Sequence, residues 1–277
     1  MLDQRSLDGD KRMIAILSDI HGNSPAMKAV LKDIRSQGAE KLIFLGDALT
    51  GPDPKGTMDI LSASGCIPVS GNVEQWIIQG DIYQVPDPEN ELHTSVREKM
   101  LWVTDSIGKD YLEWILTWPD EYEESDAYFV HDSPYDRKIE RLYRDNSDPK
   151  GYLYHSKGLH EDSPETTFAE NASITNDLAH KKVFYGHTHA PYTRAAGGVT
   201  FCNVGSSGFC LDGDPRPAWV SWDGDSLQIH HVDYDLEETI SLIRSGEYPL
   251  SEQEGYIYML RTGNHWRTYR PPAADEN

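Results

Sequence analysis

Five short apolar segments of this 277-residue chain are each followed closely by residues that can bind a metal ion. The first segment, 13–17, is unbroken and apolar, as expected for a strand buried on both faces. Such segments alternate with segments of helical periodicity, which is typical of a layered α/β protein. The pattern therefore predicts that polar residues gather at the ends of the strands. The residues concerned are Asp19, His21, Asp47, Asn72, His131, His187 and His189.

The remaining elements follow from caps, turns and periodicity. A helix is predicted from Asn23 or Ser24, either of which can cap its first turn, to Gly38, a typical C-terminal residue. Gly197-Gly198 and Asp223-Gly224 predict tight hairpins, and hence an antiparallel or mixed sheet in the second half. The other predicted strands cover 41–45, 66–69, 127–131, 182–185, 192–196, 199–202, 218–222 and 226–232. The other predicted helices cover 57–64, most of 73–118, 150–159, 164–180 and, as the last helix, 236–243.

The composition limits the classes of partner. The chain has 46 Asp and Glu residues against 25 Lys and Arg residues, a net charge of −21, so we expect no nucleic-acid binding through a basic face. Its longest apolar stretches fall far short of the roughly 18 residues of a membrane-spanning helix. Residues 1–12 are polar and predict a flexible N-terminal extension without the apolar core of a secretory signal. Three cysteines without metal or redox spacing agree with a reduced compartment, so a cytoplasmic protein is expected.

The residues at the strand ends differ in how strongly each indicates a function. Asp19 and His21 are two positions apart in an extended segment, so both side chains lie on the same side. In an open α/β sheet the loops after the strands line the ligand crevice, so Asp47 should lie close to this pair. An isolated Asp at such a junction is as often an ordinary turn residue. His187 and His189, in a loop that begins with glycine, have little packing rationale and suit metal chelation.

Five short motifs contain these residues. They are Asp19-Ile20-His21-Gly22-Asn23, Gly46-Asp47, Gly71-Asn72, His131-Asp132-Ser133-Pro134 and Gly186-His187-Thr188-His189. In this order, between about 13 and 235, they resemble the motifs of the calcineurin-like metallophosphoesterases. The resemblance is greatest to small bacterial and archaeal phosphoesterases, including diadenosine tetraphosphatase-like proteins. It implies an α/β fold, a four-layer α/β/β/α sandwich with two mixed β-sheets flanked by helices. The domain is expected to cover 13–246, with a helical insertion at about 73–118 and a C-terminal extension at 247–277.

By motif match, the resemblance implies two divalent metal ions. One would be held by Asp19, His21 and His189, the other by Asn72, His131 and His187, with Asp47 bridging both. Carboxylate, amide and imidazole ligands without thiolate suit Mn, Fe, Zn or Co. The implied reaction is hydrolysis of a phosphodiester or phosphoanhydride bond in a small phosphorylated substrate, such as a nucleotide, by a hydroxide that bridges the metals. Asp47 and Asn72 are the expected catalytic residues. The residues that bind the rest of the substrate and the oligomeric state stay open.

Three positions depart from the family pattern. Many members have a histidine directly after the motif asparagine, where it can protonate the leaving group, but this chain has Val73. We therefore expect a preference for activated diesters or phosphoanhydrides over alkyl phosphomonoesters. Asp132 replaces a frequent glycine and could orient a ligating imidazole, or be a solvated turn residue. Val204 replaces a frequent proline in a loop expected to shape the floor of the site. No role is assigned to Glu74 from the sequence.

Two alternative functions stay open. One is a phosphomonoesterase that acts on a protein or a small molecule. The other is a non-catalytic scaffold, as in a retromer-like subunit of the same fold whose metal site is degraded. All seven ligand positions hold metal-binding residue types in this chain, which favours an enzyme. The aromatic residues of 73–118 could stack on a nucleobase, but most are expected to pack this segment against the core.

Overall fold

The computed structural model describes residues 12–79, 91–132, 179–245, 248 and 253–264. The strands are β1 (Ile14–Leu17), β2 (Lys41–Phe44), β3 (Ile67–Pro68), β4 (Glu121–Glu124), β5 (Ala127–Val130), β6 (Lys182–Tyr185), β7 (Tyr192–Ala196), β8 (Val199–Asn203), β9 (Ala218–Trp222) and β10 (Leu227–His231). The helices are α1 (Ser24–Gln37), α2 (Pro54–Ser64), α3 (Asn72–Gln79), α4 (Glu91–Ile115), α5 (Leu236–Arg244) and α6 (Gln253–Thr262). The predicted helix at 150–159 lies outside the described residues. So do the predicted extension at 1–12 and the predicted helix at 164–180, except for Arg12, Ala179 and His180, which are not helical.

The described strands form two mixed sheets. In the first sheet the order is β10-β9-β1-β2-β3, with β1, β2 and β3 parallel and with β9 antiparallel to both of its neighbours. In the second sheet the order is β4-β5-β6-β8-β7, with β5, β6 and β8 parallel and β4 and β7 antiparallel to their neighbours. The prediction of two mixed sheets flanked by helices is therefore confirmed.

Alternate residues of β1 face two different cores. Ala15 and Leu17 belong to the helix-side core, which includes the apolar faces of α1 and α2, whereas Ile14 and Ile16 pack between the two sheets. Because successive side chains of a strand point to opposite faces, a strand that is buried on both faces must be apolar throughout. The unbroken apolar run at 13–17 therefore specifies the central strand of the first sheet.

The start of α1 fixes the loop that leaves β1. The side chain of Asn23 accepts the N–H of Ala26 at 3.2 Å, and Pro25 occupies the first turn. The same side chain donates to Gly208 O at 2.6 Å and accepts from Thr239 Oγ1 at 2.8 Å. The N-cap residue thus connects the β1–α1 loop to two distant parts of the chain, which restricts the motion of that loop.

Three features were not predicted from the periodicity. β4 pairs with β5 at the edge of the second sheet, although its sequence, Glu-Tyr-Glu-Glu, is mostly charged. α4 is interrupted at Gly108, whose φ of 74° and ψ of 174° are not helical. The expectation that the last helix lies at 236–243 is wrong, because α6 follows it. Among the described residues, no helix is both long enough and apolar enough to cross a bilayer.

Candidate metal centre

The loops after β1 and β2 lie side by side because the pairing of the two strands continues beyond their ends. The backbone N–H of Asp19 donates to Gly46 O at 2.9 Å, and that of His21 donates to Asp47 O at 3.0 Å. β3 is the next parallel strand, and Asn72 follows it at the start of α3. The structure thus brings these four predicted site residues to one edge of the first sheet.

The second sheet contributes the three histidines that follow β5 and β6. The backbone N–H of Gly186 donates to His131 O at 2.9 Å, so the ends of these two parallel strands are held together. The backbone N–H of His187 donates to Asp19 Oδ2 at 2.9 Å. The two sheets are therefore joined through residues of the site itself.

Asp19, His21 and His189 form the first group of candidate metal ligands. One ligand atom from each lies within 4.8 Å of the others, and all three residues are buried. Asp19 Oδ1 is 3.2 Å from His189 Nε2 and 3.6 Å from His21 Nε2. The two Nε2 atoms are 3.1 Å apart. Three potential ligand atoms thus point into the same small volume.

Asp47, His131 and His187 form the second group, also with ligand atoms within 4.8 Å of one another. Asn72 lies between the two histidines, and its Oδ1 is 2.9 Å from both His131 Nε2 and His187 Nδ1. A half-turn of the amide would point its NH₂ group at the same two nitrogen atoms. An amide oxygen faces them when they share a cation, whereas an NH₂ group faces them when each presents a lone pair.

The carboxylate of Asp47 lies between the two groups. Its Oδ2 is 3.7 Å from His21 Nε2 in the first group, and its Oδ1 is 3.4 Å from His131 Nε2 in the second. Oδ1 also accepts the backbone N–H of Val73 at 2.9 Å. The carboxylate is thus close to a nitrogen ligand of each group, as expected of a residue that bridges two ions.

Hydrogen bonds on the far side of the rings fix three of the imidazoles. Nδ1 donates to a backbone carbonyl oxygen at 3.0 Å in His21, 2.7 Å in His131 and 3.1 Å in His189. Because a carbonyl oxygen only accepts, Nε2 of each neutral ring presents a lone pair to the site. In the first group, two such lone pairs face each other beside Asp19 Oδ1, a buried atom that accepts no hydrogen bond among the described residues. These atoms repel one another unless a cation lies among them, so the donor set fits a divalent metal ion.

The charges of the site favour a cation. Burial alone raises the pKa of Asp19 and Asp47, but His189 beside Asp19 and His131 beside Asp47 outweigh it and hold the pKa of both carboxyls below its ordinary value. Burial alone lowers the pKa of His131, but Asp47 and Asp19 raise it to about 10. The site therefore stabilises added positive charge, whether a proton or a metal ion.

Five predicted ligands have a left-handed backbone conformation. The angle φ is 55° at Asp19, 47° at His21, 60° at Asp47, 66° at His187 and 59° at His189. Residues other than glycine seldom adopt such values, at a cost of about 1–3 kcal/mol each in unfavourable cases. Their concentration at one site indicates that the surrounding structure holds these side chains in place for a function rather than for local stability.

Glu74 supports the site in a way that its sequence position did not predict. Its buried carboxylate accepts the backbone N–H groups of Asp47 at 2.8 Å, Ala48 at 2.9 Å and Gly71 at 2.9 Å. Burial and the charge of Asp47 raise the pKa of Glu74 to about 7, although the three hydrogen bonds lower it. The signal in the sequence is an acidic residue in the first turn of a helix, which is common and indicates no particular partner.

The 203–206 loop lies beneath the ligand loops. Ser206 Oγ donates to Asp19 O at 2.6 Å. Asn203 Nδ2 donates to Gly186 O at 2.8 Å and to Thr188 Oγ1 at 2.9 Å. The loop thus holds the backbone on both sides of the site, at the first strand end and in the histidine-containing loop.

Asp132 and Val73, two of the three departures from the family pattern, differ in how they relate to the site. Asp132 Oδ2 lies 3.9 Å from His187 Nε2, a distance that allows an electrostatic interaction but is too long for a hydrogen bond. Val73 is buried in the helix-side core, and its backbone N–H contacts Asp47. The residue at position 73 therefore offers the site no side-chain proton donor.

The described aromatic residues of the helical insertion pack against the helix-side core, as expected. They are Trp76, Trp102, Tyr111, Trp114 and Trp118. Tyr83 lies outside the described residues. Packing accounts for these rings without a role in binding a base.

Two mixed sheets with two groups of metal-binding side chains at their shared edge agree with the metallophosphoesterase class that the motifs resemble. A family model for the calcineurin-like phosphoesterase superfamily domain matches residues 13–225. The chain therefore belongs to the calcineurin-like phosphoesterase superfamily, which confirms the resemblance seen in its motifs.

Individual relatives share the fold at low sequence identity. A metallophosphoesterase from Sphaerobacter thermophilus is 22% identical, with a TM-score of 0.67, over 91% of this chain and 99% of that one. A hypothetical protein from Pyrococcus horikoshii OT3 is 18% identical, with a TM-score of 0.68 and the same two coverages. An uncharacterized protein of Methanocaldococcus jannaschii is 23% identical over 262 residues, which is 86% of this chain and 95% of the relative. At these identities the similarity supports the fold, and the reaction must be argued from the site.

Proposed function

We propose that this chain is a two-metal phosphoesterase that hydrolyses phosphodiester or phosphoanhydride bonds in a small phosphorylated substrate, with nucleotides as one class. The observation that carries the proposal is the position of Asp47, whose carboxylate lies 3.7 Å from His21 Nε2 of one ligand group and 3.4 Å from His131 Nε2 of the other. One ion would be held by Asp19, His21 and His189, the other by Asn72, His131 and His187, with Asp47 shared. Oxygen and imidazole donors of this kind suit Mn, Fe, Zn or Co.

The residues of the chain orient the metal ligands and place the negative charge that such a reaction needs. When bound, two divalent ions lower the pKa of a shared water and offset charge on the phosphoryl oxygens. The carbonyl partners of His21, His131 and His189 keep the ring lone pairs pointed into the site. Asp47 places negative charge between the two ion positions, which reduces the repulsion between the ions.

The sign of the charge at the site is compatible with an anionic substrate. The chain carries a net charge of −21, which by itself repels a phosphate group. Two divalent ions would outweigh the charges of Asp19, Asp47 and Glu74, so the site becomes locally positive when both are bound. A small substrate can use this local field without a basic surface elsewhere.

We expect hydrolysis to depend steeply on the leaving group, because position 73 offers no proton donor. Without a general acid, a poor leaving group departs roughly 10²- to 10⁴-fold more slowly, whereas nitrophenolate or a nucleotide phosphate leaves as an anion. The test compares bis-p-nitrophenyl phosphate, a dinucleoside polyphosphate, a cyclic nucleotide, p-nitrophenyl phosphate and an alkyl phosphomonoester with Mn²⁺, Co²⁺, Zn²⁺ and Mg²⁺. Equal rates for the alkyl monoester and the nitrophenyl diester would contradict the proposed substrate preference.

Metal binding is expected to stabilise the folded chain. At a free ion concentration about 100 times Kd, each occupied site adds about 2.7 kcal/mol to the free energy of unfolding. Thermal unfolding of chelator-treated protein with and without Mn²⁺ measures this change, and elemental analysis should find two ions per chain. If none of the four ions stabilises the folded chain or supports hydrolysis, the scaffold alternative is favoured.

A further inference from the structure

The helix α6 packs directly behind the first ligand group. Tyr256 of this helix is buried, and its hydroxyl donates to the backbone oxygen of His21 at 3.1 Å. The hydrogen bond joins residues that are 235 positions apart in the sequence. A residue near the end of the described chain is thus in contact with a candidate metal ligand near its start.

The oxygen of His21 has little freedom to move. A Cβ atom on Gly51 would lie only 1.6 Å from His21 O and 2.9 Å from the hydroxyl oxygen of Tyr256, so both groups crowd the backbone at this point. His21 itself has a φ of 47°, a conformation that a side chain disfavours. The N–H of the same peptide group belongs to Gly22 and donates to Ala48 O at 2.8 Å, so the Tyr256 hydroxyl adds a second hydrogen bond to the peptide that follows His21 and helps to fix the backbone that carries the imidazole.

Phe209 extends the contact between α6 and the two imidazoles of the group. The centre of its ring is 5.3 Å from that of Tyr256, 5.2 Å from that of His21 and 4.6 Å from that of His189. Its backbone oxygen is also the partner of His189 Nδ1, at 3.1 Å. Tyr256 thus supports His21 directly and lies against the aromatic ring that contacts both histidines.

The second ligand group draws its support from a different part of the fold. His131 Nδ1 bonds to Leu45 O at 2.7 Å, at the end of β2, and Asn72 follows β3. Glu74 holds the backbone of Asp47 and Gly71 from the first turn of α3. These contacts come from the first half of the chain rather than from α6.

We infer that Tyr256 is a positioning residue for the first metal ion, so that α6 sets the affinity of the group formed by Asp19, His21 and His189. The inference rests on the proposed two-metal function. It assigns to the C-terminal helix a selective effect on one ion, in addition to its packing against the core. The affinity of the second group is expected to be independent of Tyr256.

The test is Tyr256→Phe, which removes the hydroxyl and keeps the ring. Loss of one buried hydrogen bond that positions a ligand is expected to raise Kd for the first ion about three- to tenfold. Co²⁺ titrations followed by visible absorption give the two affinities and the spectrum of each bound ion. His131→Ala, made both in the unmodified chain and in Tyr256→Phe, removes a ligand of the second group. The binding step that remains is then that of the first group. Tyr122→Phe is the matched control, because it removes a hydroxyl that donates to Glu124 Oε2 at 3.0 Å in β4.

The outcomes are distinct. A weaker first step, an altered Co²⁺ spectrum of that step and an unchanged second step support the inference. Equal weakening of both steps, or no difference from Tyr122→Phe, overturns it while leaving two-metal binding intact. Fewer than two Co²⁺ ions on the unmodified protein would overturn the proposed function, and the inference with it.

Discussion

Asp47→Asn is expected to lower turnover by more than about 100-fold, because loss of even an outer partner of a metal ligand typically costs about 10- to 100-fold. Asparagine keeps the shape of the side chain and one oxygen, so the hydrogen bond from the backbone of Val73, 2.9 Å long in the native chain, can persist. A neutral amide, however, cannot offset the repulsion between two divalent ions. Metal content is therefore expected to fall from two ions per chain to one or fewer, as measured by elemental analysis.

The same variant should unfold more easily than the unmodified chain at neutral pH when metal is absent. Asp19, Asp47 and Glu74 are buried together, and the charge of Asp47 adds to the effect of burial in raising the pKa of Glu74. The pKa of Asp47 is nevertheless below its ordinary value, because His131 and His21 outweigh its burial and the charge of Asp19. A carboxylate whose pKa is lowered on folding stabilises the fold at neutral pH, and Asp47 is also the partner that raises the pKa of His131 to about 10, so without its charge the free energy of unfolding of the metal-free protein should be lower. Asp59→Asn is the control, since it makes the same change in charge at a half-exposed side chain of α2. Two bound ions and native turnover in Asp47→Asn would exclude Asp47 as the bridging residue.

The ligand positions were predictable because they follow strands whose pattern is local. The runs at 13–17 and 42–45 are apolar without interruption, and parallel strands bring their carboxyl ends to one edge of a sheet. Ile14 pairs with Lys41 and Leu17 with Phe44, and this register alone places the loop of Asp19 beside that of Asp47. The convergence of the ligands is thus a direct consequence of strand order and register.

The supports behind the ligands were not predictable, because they depend on contacts between distant parts of the chain. The bond from Tyr256 to His21 spans 235 positions and that from Asn23 to Gly208 spans 185, and no periodicity records such pairs. β4 was missed because its residues alternate between exposed and half-buried at a sheet edge, where charged side chains are tolerated. Sequence patterns therefore indicate which residues are ligands, whereas only the fold shows what holds them in place.

Glu74→Gln is expected to weaken metal binding roughly 10- to 100-fold, although Glu74 is not among the proposed ligands. Its Oε2 accepts the N–H groups of Asp47 and Gly71, and its Oε1 accepts that of Ala48. In glutamine one of these oxygens becomes an NH₂ group, which must face at least one backbone donor. The least unfavourable orientation keeps the oxygen on Asp47 and Gly71 and leaves Ala48 unpaired, at a cost of about 1–3 kcal/mol. The loop that carries Asp47 is then free to shift relative to the group it bridges.

Calorimetric titration of Glu74→Gln with Mn²⁺ measures the affinities, and chemical unfolding of the loaded protein measures the loss in the free energy of unfolding. Glu113→Gln is the matched control, because it removes the same charge from an exposed side chain that pairs with Lys109 on α4. If Glu74 acts only on stability, the variant will unfold more easily yet bind both ions with native affinity, and its role as a positioning residue is excluded. If it positions Asp47, both ions will bind more weakly, because Asp47 is the ligand that the two groups share. The predicted effect therefore differs from that of Tyr256→Phe, which should weaken the binding of one ion and leave the affinity for the other unchanged.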